Sequence, residues 1–320
     1  AASLASCGGG GTVAGIGGTG ITTVGTITGF GSIIVNGVHY DITSATIKKE
    51  GKSVNDKDPN TALREGMVVT VKGVDYGNGT GSASEVSYRD ELQGPVDAGS
   101  PASQGFSVMG IPISVDASTR FSKCSDDGVP PVTGWDPSTQ LNAGDLVEVS
   151  GYPKPGGGIQ ATYVEKKDGK CQADDKGDQE IKGTLYAGGA SIQVGESTPI
   201  SIDTTSASCK DPINDLGLTP GFVELKGSYT GGKFCVTDGE NEDEHAGKSA
   251  QAGAHADLEG LVSDLNGANQ TFRLNSTSMT VYYGSATVTG TGTLANSVHV
   301  EVKGTFNSNG DVNASEVHIE

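Results

Sequence analysis

Val68-Val69-Thr70-Val71-Lys72-Gly73 decides the reading, because the chain writes this pattern four times. It returns as Leu146-Val147-Glu148-Val149-Ser150-Gly151, as Phe222-Val223-Glu224-Leu225-Lys226-Gly227 and as His299-Val300-Glu301-Val302-Lys303-Gly304. The closing glycines stand 78, 76 and 77 residues apart. So steady a period marks a duplicated unit, and 320 residues reduce to one small fold read four times. In each copy the apolar side chains alternate with polar ones: Val69 and Val71 against Thr70 and Lys72, Val147 and Val149 against Glu148 and Ser150. A period of two is a strand with one buried face and one face expected in water.

The flanking sequence repeats in the same order. Each copy opens on glycine, one residue, then an apolar residue, at Gly25, Gly94, Gly183 and Gly260. A second run follows (Ile33 to Val35, Phe106 to Val108, Ile192 to Val194, Phe272 to Leu274), and a turn leads to a third. A long polar connection then ends in leucine, two residues and glycine: Leu63 to Gly66, Leu141 to Gly144, Leu218 to Gly221. The fourth copy has Leu294 and Ser297 there. After the marker strand, turns such as Tyr76-Gly77-Asn78-Gly79 return the chain to a fifth strand. Five short strands in so few residues bury little as an open sheet, whereas closure removes exposed edges. The expected fold is all-β: four tandem five-stranded antiparallel barrels resembling the oligonucleotide/oligosaccharide-binding (OB) fold, behind a Gly-rich N-terminal tail. The long connections are expected to hold what helix exists.

The expected boundaries are a tail over 1–20, barrels over 21–90, 91–178, 179–240 and 257–320, and an acidic, then Gly/Ala-rich linker over 241–256. With 34% hydrophobic and 5% aromatic residues, each core is small and aliphatic. Fifty glycines fit a turn-rich β chain, because the apolar alternation persists between them. A net charge of −18 argues against nucleic acid, whose binding needs a basic face. It also disfavours an anionic membrane surface. There is no transmembrane stretch.

Five cysteines point to the compartment. Cys124 and Cys209 hold matching places past the third strand of copies two and three, and Cys171 and Cys235 lie near the fifth. Copies one and four lack both members. This paired presence predicts two disulfides, Cys124–Cys171 and Cys209–Cys235, although four cysteines admit three pairings. Bridges of that kind need an oxidising compartment, so the chain is expected to be exported.

Leu4-Ala5-Ser6-Cys7, followed by four glycines, resembles a bacterial lipobox with a flexible tether. Cys7 is expected either to carry a lipid anchor or to form an intermolecular disulfide. Beyond it, Val13, Ile16, Ile21 and Val24 are apolar residues spaced among glycines and threonines. They read as a strand for addition to a neighbouring subunit's barrel. The run Val24-Gly25-Thr26-Ile27-Thr28-Gly29-Phe30-Gly31-Ser32-Ile33-Ile34-Val35-Asn36-Gly37-Val38, with the later Leu63-to-Gly66 and Val69-to-Gly73 elements, resembles a bacterial exported repeat domain of unknown function. The resemblance implies export and a small β-barrel module, often behind a lipobox. It implies no catalytic residue.

No enzyme motif emerges. The five histidines are scattered, and His299 and His318 fall on strand faces expected to be wet. No Gly-x-Ser-x-Gly, phosphate-binding loop or haem-binding Cys-x-x-Cys-His occurs. Asn307 to Asp311 imitates a calcium loop but stands where the repeat needs a hairpin turn. Trp135 is the best candidate for a contact residue, unless it plugs its own barrel. No cofactor and no catalytic or metal site is expected. Two functions fit: an exported structural subunit that polymerises with copies of itself, head to tail through its tail, into an extracellular filament or matrix fibre; or a monomeric lipoprotein of an outer-membrane surface whose barrels bind glycan or protein.

Overall fold

The computed structural model describes residues 20–54, 63–88, 90–124, 129–168, 179–242 and 250–320. Among them are twenty-four strands and one helical turn, so the chain is all-β with almost no helix. The first unit runs β1 (Ile21–Gly29), β2 (Ile33–Val35), β3 (Val38–Asp41), β4 (Thr46–Lys49), β5 (Lys52–Ser53), β6 (Val68–Asp75) and β7 (Thr80–Tyr88). The second runs β8 (Leu92–Pro95), β9 (Gly105–Val108), β10 (Ile111–Ser114), β11 (Arg120–Lys123), α1 (Pro137–Gln140), β12 (Leu146–Pro153) and β13 (Ile159–Lys167). The third holds β14 (Gln179–Leu185), β15 (Ser191–Gln193), β16 (Ile200–Ile202), β17 (Gly221–Thr230) and β18 (Lys233–Asn241). The fourth holds β19 (His255–Asn266), β20 (Thr271–Leu274), β21 (Thr280–Tyr282), β22 (Thr287–Gly290), β23 (His299–Phe306) and β24 (Val312–Ile319).

The pairing follows one rule. In the third unit β14 pairs with β15, β15 with β16, β16 with β18, β18 with β17, and β17 with β14, which closes a five-stranded barrel. The fourth closes in the same way through β19, β20, β21, β24 and β23. In the first, β1, β2, β3, β7 and β6 pair in that circular order. In the second, β8 and β9 meet through the bridge Val96–Val108. The barrels are not purely antiparallel as expected. The third strand runs parallel to the fifth in every unit, because the long connection carries the chain back across the barrel before the fourth strand begins. That connection is also less irregular than its polarity suggests. It adds a short strand parallel to the fifth in three units, β4, β11 and β22. The helical turn α1 does lie in one of these connections, capped by Asp136.

Two glycines of the repeat have steric reasons. Each closing glycine sits at a bulge between the fourth and fifth strands. A Cβ at Gly73, Gly151, Gly227 or Gly304 would lie 2.0–2.3 Å from a fifth-strand carbonyl oxygen. The glycine of the leucine-x-x-glycine element takes positive φ, 93° at Gly66 and 85° at Gly144, and turns the chain into the fourth strand. The leucine before it caps the core: Leu63, Leu141 and Leu218 are buried. Ser297 takes the same left-handed turn at φ 67° without being glycine.

The units are not beads on a string. β1 pairs parallel with β19, joining the first unit to the fourth in a thirteen-stranded sheet. β8 pairs with both β12 and β14, joining the second to the third in an eleven-stranded sheet. One hydrophobic core runs unbroken through the second and third units, from Leu92 to Val236. Tyr163 of the second unit packs into the core of the first. Of the segment expected as a linker, residues up to Asn241 continue β18, and β19 starts at His255. Residues 243–249 between them lie outside the described residues.

Candidate functional site

The alternate face of the marker strand, expected in water, is where the chemistry gathers. All eight residues of β12 are buried. Glu148 is 2% exposed and Glu224 1%. The reason is tertiary: the outer face of the sheet β12-β8-β14-β17 is covered by the first unit. In register across that sheet, Glu148 faces Gln93, Gln93 faces Glu180, and Glu180 faces Lys226, so each strand contributes one polar residue to a single row.

Tyr88, at the end of β7, donates its hydroxyl proton to Glu148 Oε1 at 2.5 Å. Lys167 pairs with Glu148 Oε2 and reaches Glu165 Oε2 at 2.8 Å. Burial alone would raise the Glu148 carboxyl, but Lys167 and Lys49 outweigh it and hold the group at about 2. Beside this balanced set lies an acidic one. Lys182 donates to the backbone carbonyl of Asp90, and the Asp90 N–H donates to Glu50 Oε1 at 3.1 Å. Lys226 bridges Glu180 at 2.7 Å and Glu224 at 2.8 Å. Burial, only partly opposed by Lys182, and repulsion from Glu148, Glu224 and Glu180 push Glu50 up to about 7. Burial raises Asp90 well above the carboxylate range.

A second polar seam joins the first and fourth units. The Thr26 N–H donates to Glu259 Oε2 at 2.8 Å, and Asn36 Nδ2 donates to Asp257 Oδ1 at 2.9 Å. His299 stands between Glu259 at 3.2 Å and Glu320 at 2.6 Å, with the Tyr152 ring 5.4 Å away. Burial would lower this histidine, but its two carboxylate partners raise it to about 9. Burial and the Glu301 charge lift Asp257 to about 8. Among the described residues, three groups have ligand atoms close enough to share one metal ion: Glu50, Glu180 and Glu224; Glu224, Glu240 and Glu242; and Glu259, His299 and Glu320.

Of the expected site residues, Cys209 and Cys235 form the anticipated disulfide, with Cα atoms 5.0 Å apart. Cys124 is also disulfide-bonded, and Cys171 lies outside the described residues. Cys7, Val13 and Ile16 lie outside them too. Ile21 and Val24 stand in β1, where they pair in cis with Gly73 and Thr70 of β6 and with His255 and Leu258 of β19. Val24 is buried in the core of the fourth unit. Trp135 stacks on Phe121, with ring centroids 4.5 Å apart, in the second unit's core, the position expected of a plug. The charged seam residues were not singled out from sequence. The available signal was glutamate at the same inner position in three of four marker strands.

The model of a family described as a domain of unknown function, DUF5666, matches residues 20–87, 93–165 and 259–318. The chain therefore belongs to that family, with three copies of its domain. The third unit, with the same strand order, is outside those matches. No curated protein matches the chain. No helix among the described residues is long and apolar enough to cross a membrane.

Proposed function

We propose that this chain is an exported structural protein without catalytic activity, built as four OB-like barrels and serving as the subunit of an extracellular filament or matrix fibre. The observation that carries the reading is where the repeated units spend their polar residues. The alternate faces of the second and third marker strands, which a binding or catalytic module would present to a ligand, are buried at Glu148, Ser150 and Glu224 in ion-paired seams, and that of the fourth is half-buried at His299 and Glu301. Buried, ion-paired polar contacts set one arrangement of the parts at a cost in desolvation. That is a reasonable expenditure for a stiff building block. The Cys209–Cys235 bridge supports an oxidising compartment, and so a bacterial exported protein at the cell surface or beyond it.

Copies join head to tail through the Gly-rich segment that precedes β1. A groove of about 410 Å³ beside the start of β1 is lined by both joined units, including Ile21, Val74, His255, Asp257 and Lys303, and is the place offered to such a segment. A strand donated by a neighbour gains backbone hydrogen bonds and seats its apolar side chains, and a contact whose rotation does not close produces an open filament. Because Ile21 to Val24 belong to the barrel, the cut that tests this falls before them. Negative-stain electron microscopy of the intact chain is expected to show fibres, and the protein starting at Gly20 only single particles. Single particles from both, with lipid on Cys7 in the natural protein, would replace this reading with that of a monomeric surface lipoprotein.

A further inference from the structure

We propose that Glu50, Glu180 and Glu224 form a binding site for one divalent, oxygen-preferring cation of the calcium type, which locks the first unit onto the third. One oxygen from each carboxylate lies within 4.8 Å of the other two. Calcium takes oxygen ligands at about 2.3–2.6 Å, so two ligands on opposite sides of one ion stand about 4.6–5.2 Å apart. The three side chains come from separate places, the turn after β4 and strands β14 and β17, and converge on one point across the seam.

An independent observation points to the ligand. Glu50 Oε2 and Glu180 Oε2 are both shut off from solvent and, among the described residues, have no hydrogen-bond donor. Their other oxygens are engaged, Glu50 Oε1 by the Asp90 N–H and Glu180 Oε1 by Lys226. Two buried carboxylate oxygens are thus held in place by their sister atoms and directed at no donor among the described residues. Such orphans are costly and rare. The charges agree. Glu50, Glu180 and Glu224 bring three carboxylates together in a desolvated place, with Lys182 and Lys226 beside them. The adjoining set, Glu148 and Glu165 with Lys167 and Lys49, balances by itself. A divalent cation between the three carboxylates offsets their mutual repulsion.

Isothermal titration of calcium chloride into the EDTA-treated full chain, at pH 8 and 150 mM salt, tests this. One saturable site per chain is expected, with a rise of several degrees in Tm on filling. Glu50→Gln and Glu180→Gln keep the side-chain shape and should each weaken binding at least tenfold, with unchanged circular dichroism. Asp264→Asn, at an exposed ion pair elsewhere, should leave it unaltered. No saturable binding, many weak sites that salt abolishes, or a site indifferent to Glu50→Gln would each overturn the proposal.

Discussion

The Tyr88 hydroxyl and Glu148 Oε1 meet at 2.5 Å across a separation of 60 residues, with both side chains buried. Tyr88 ends the last strand of the first unit, and Glu148 occupies the supposedly wet face of the second unit's marker strand. Their contact places one barrel against the sheet of the next and gives the Lys167 ion pair its third partner. The seam is therefore a specific polar joint, and neighbouring units are expected to unfold together.

Removing that joint should be costly. Tyr88→Phe deletes one hydrogen bond to a charged acceptor, a loss of about 1.5–3 kcal/mol. Glu148→Leu takes a carboxylate partner from the buried Lys167, and breaking such a pair costs about 3–5 kcal/mol. Urea unfolding should show both losses. If the units are coupled, fluorescence and circular dichroism should give coincident transitions in the intact protein.

The seam between the first and fourth units should loosen in alkali. His299 has its folded value raised from 6.5 to about 9, and Asp257 from 3.8 to about 8. Both groups hold a proton more tightly when folded, so their contributions are complete below their ordinary values and are lost as pH rises through the raised ones. Glu259, Glu320 and Tyr152 surround His299; Glu301, Lys303 and Asn36 surround Asp257. For His299, with its side chain 30% exposed, the loss is about 2 kcal/mol after allowance for solvent screening. Tm should fall between pH 6.5 and 9.5, and less steeply in His299→Gln.

Ser297 offers a gain. It adopts φ 67° at the place where the other units carry glycine. A non-glycine residue there costs about 1–2 kcal/mol. Ser297→Gly should raise stability by about 1 kcal/mol in thermal unfolding, whereas Gly227→Ala should lower it, because its Cβ would lie 2.0 Å from the Cys235 carbonyl oxygen.

What was legible in the sequence was local. Alternation in the marker strand, the leucine-x-x-glycine turn and the hairpin glycines fix strands and corners by short-range sterics, and the matched cysteines at 209 and 235 gave a true bridge. Parallel pairing of the third and fifth strands and the joining of β1 to β19 are long-range consequences with no local mark. The site was missed for the same reason. A period of two says that Glu148 and Val149 point opposite ways, but not that a second barrel covers the glutamate. A sheet buried on both faces normally reads as continuously apolar; here lysines from neighbouring strands stand in for water, so the pattern stayed that of a half-exposed strand.

The central claim is that the chain is an assembly subunit joined through the segment before β1. Sedimentation velocity over a wide concentration range tests it most directly, with the intact chain, the Ile16→Asp variant and the protein starting at Gly20. The account predicts large, concentration-dependent species for the intact chain and a single monomeric boundary for the other two. An intact chain that remains monomeric at every concentration, or a shortened one that still polymerises, would contradict it.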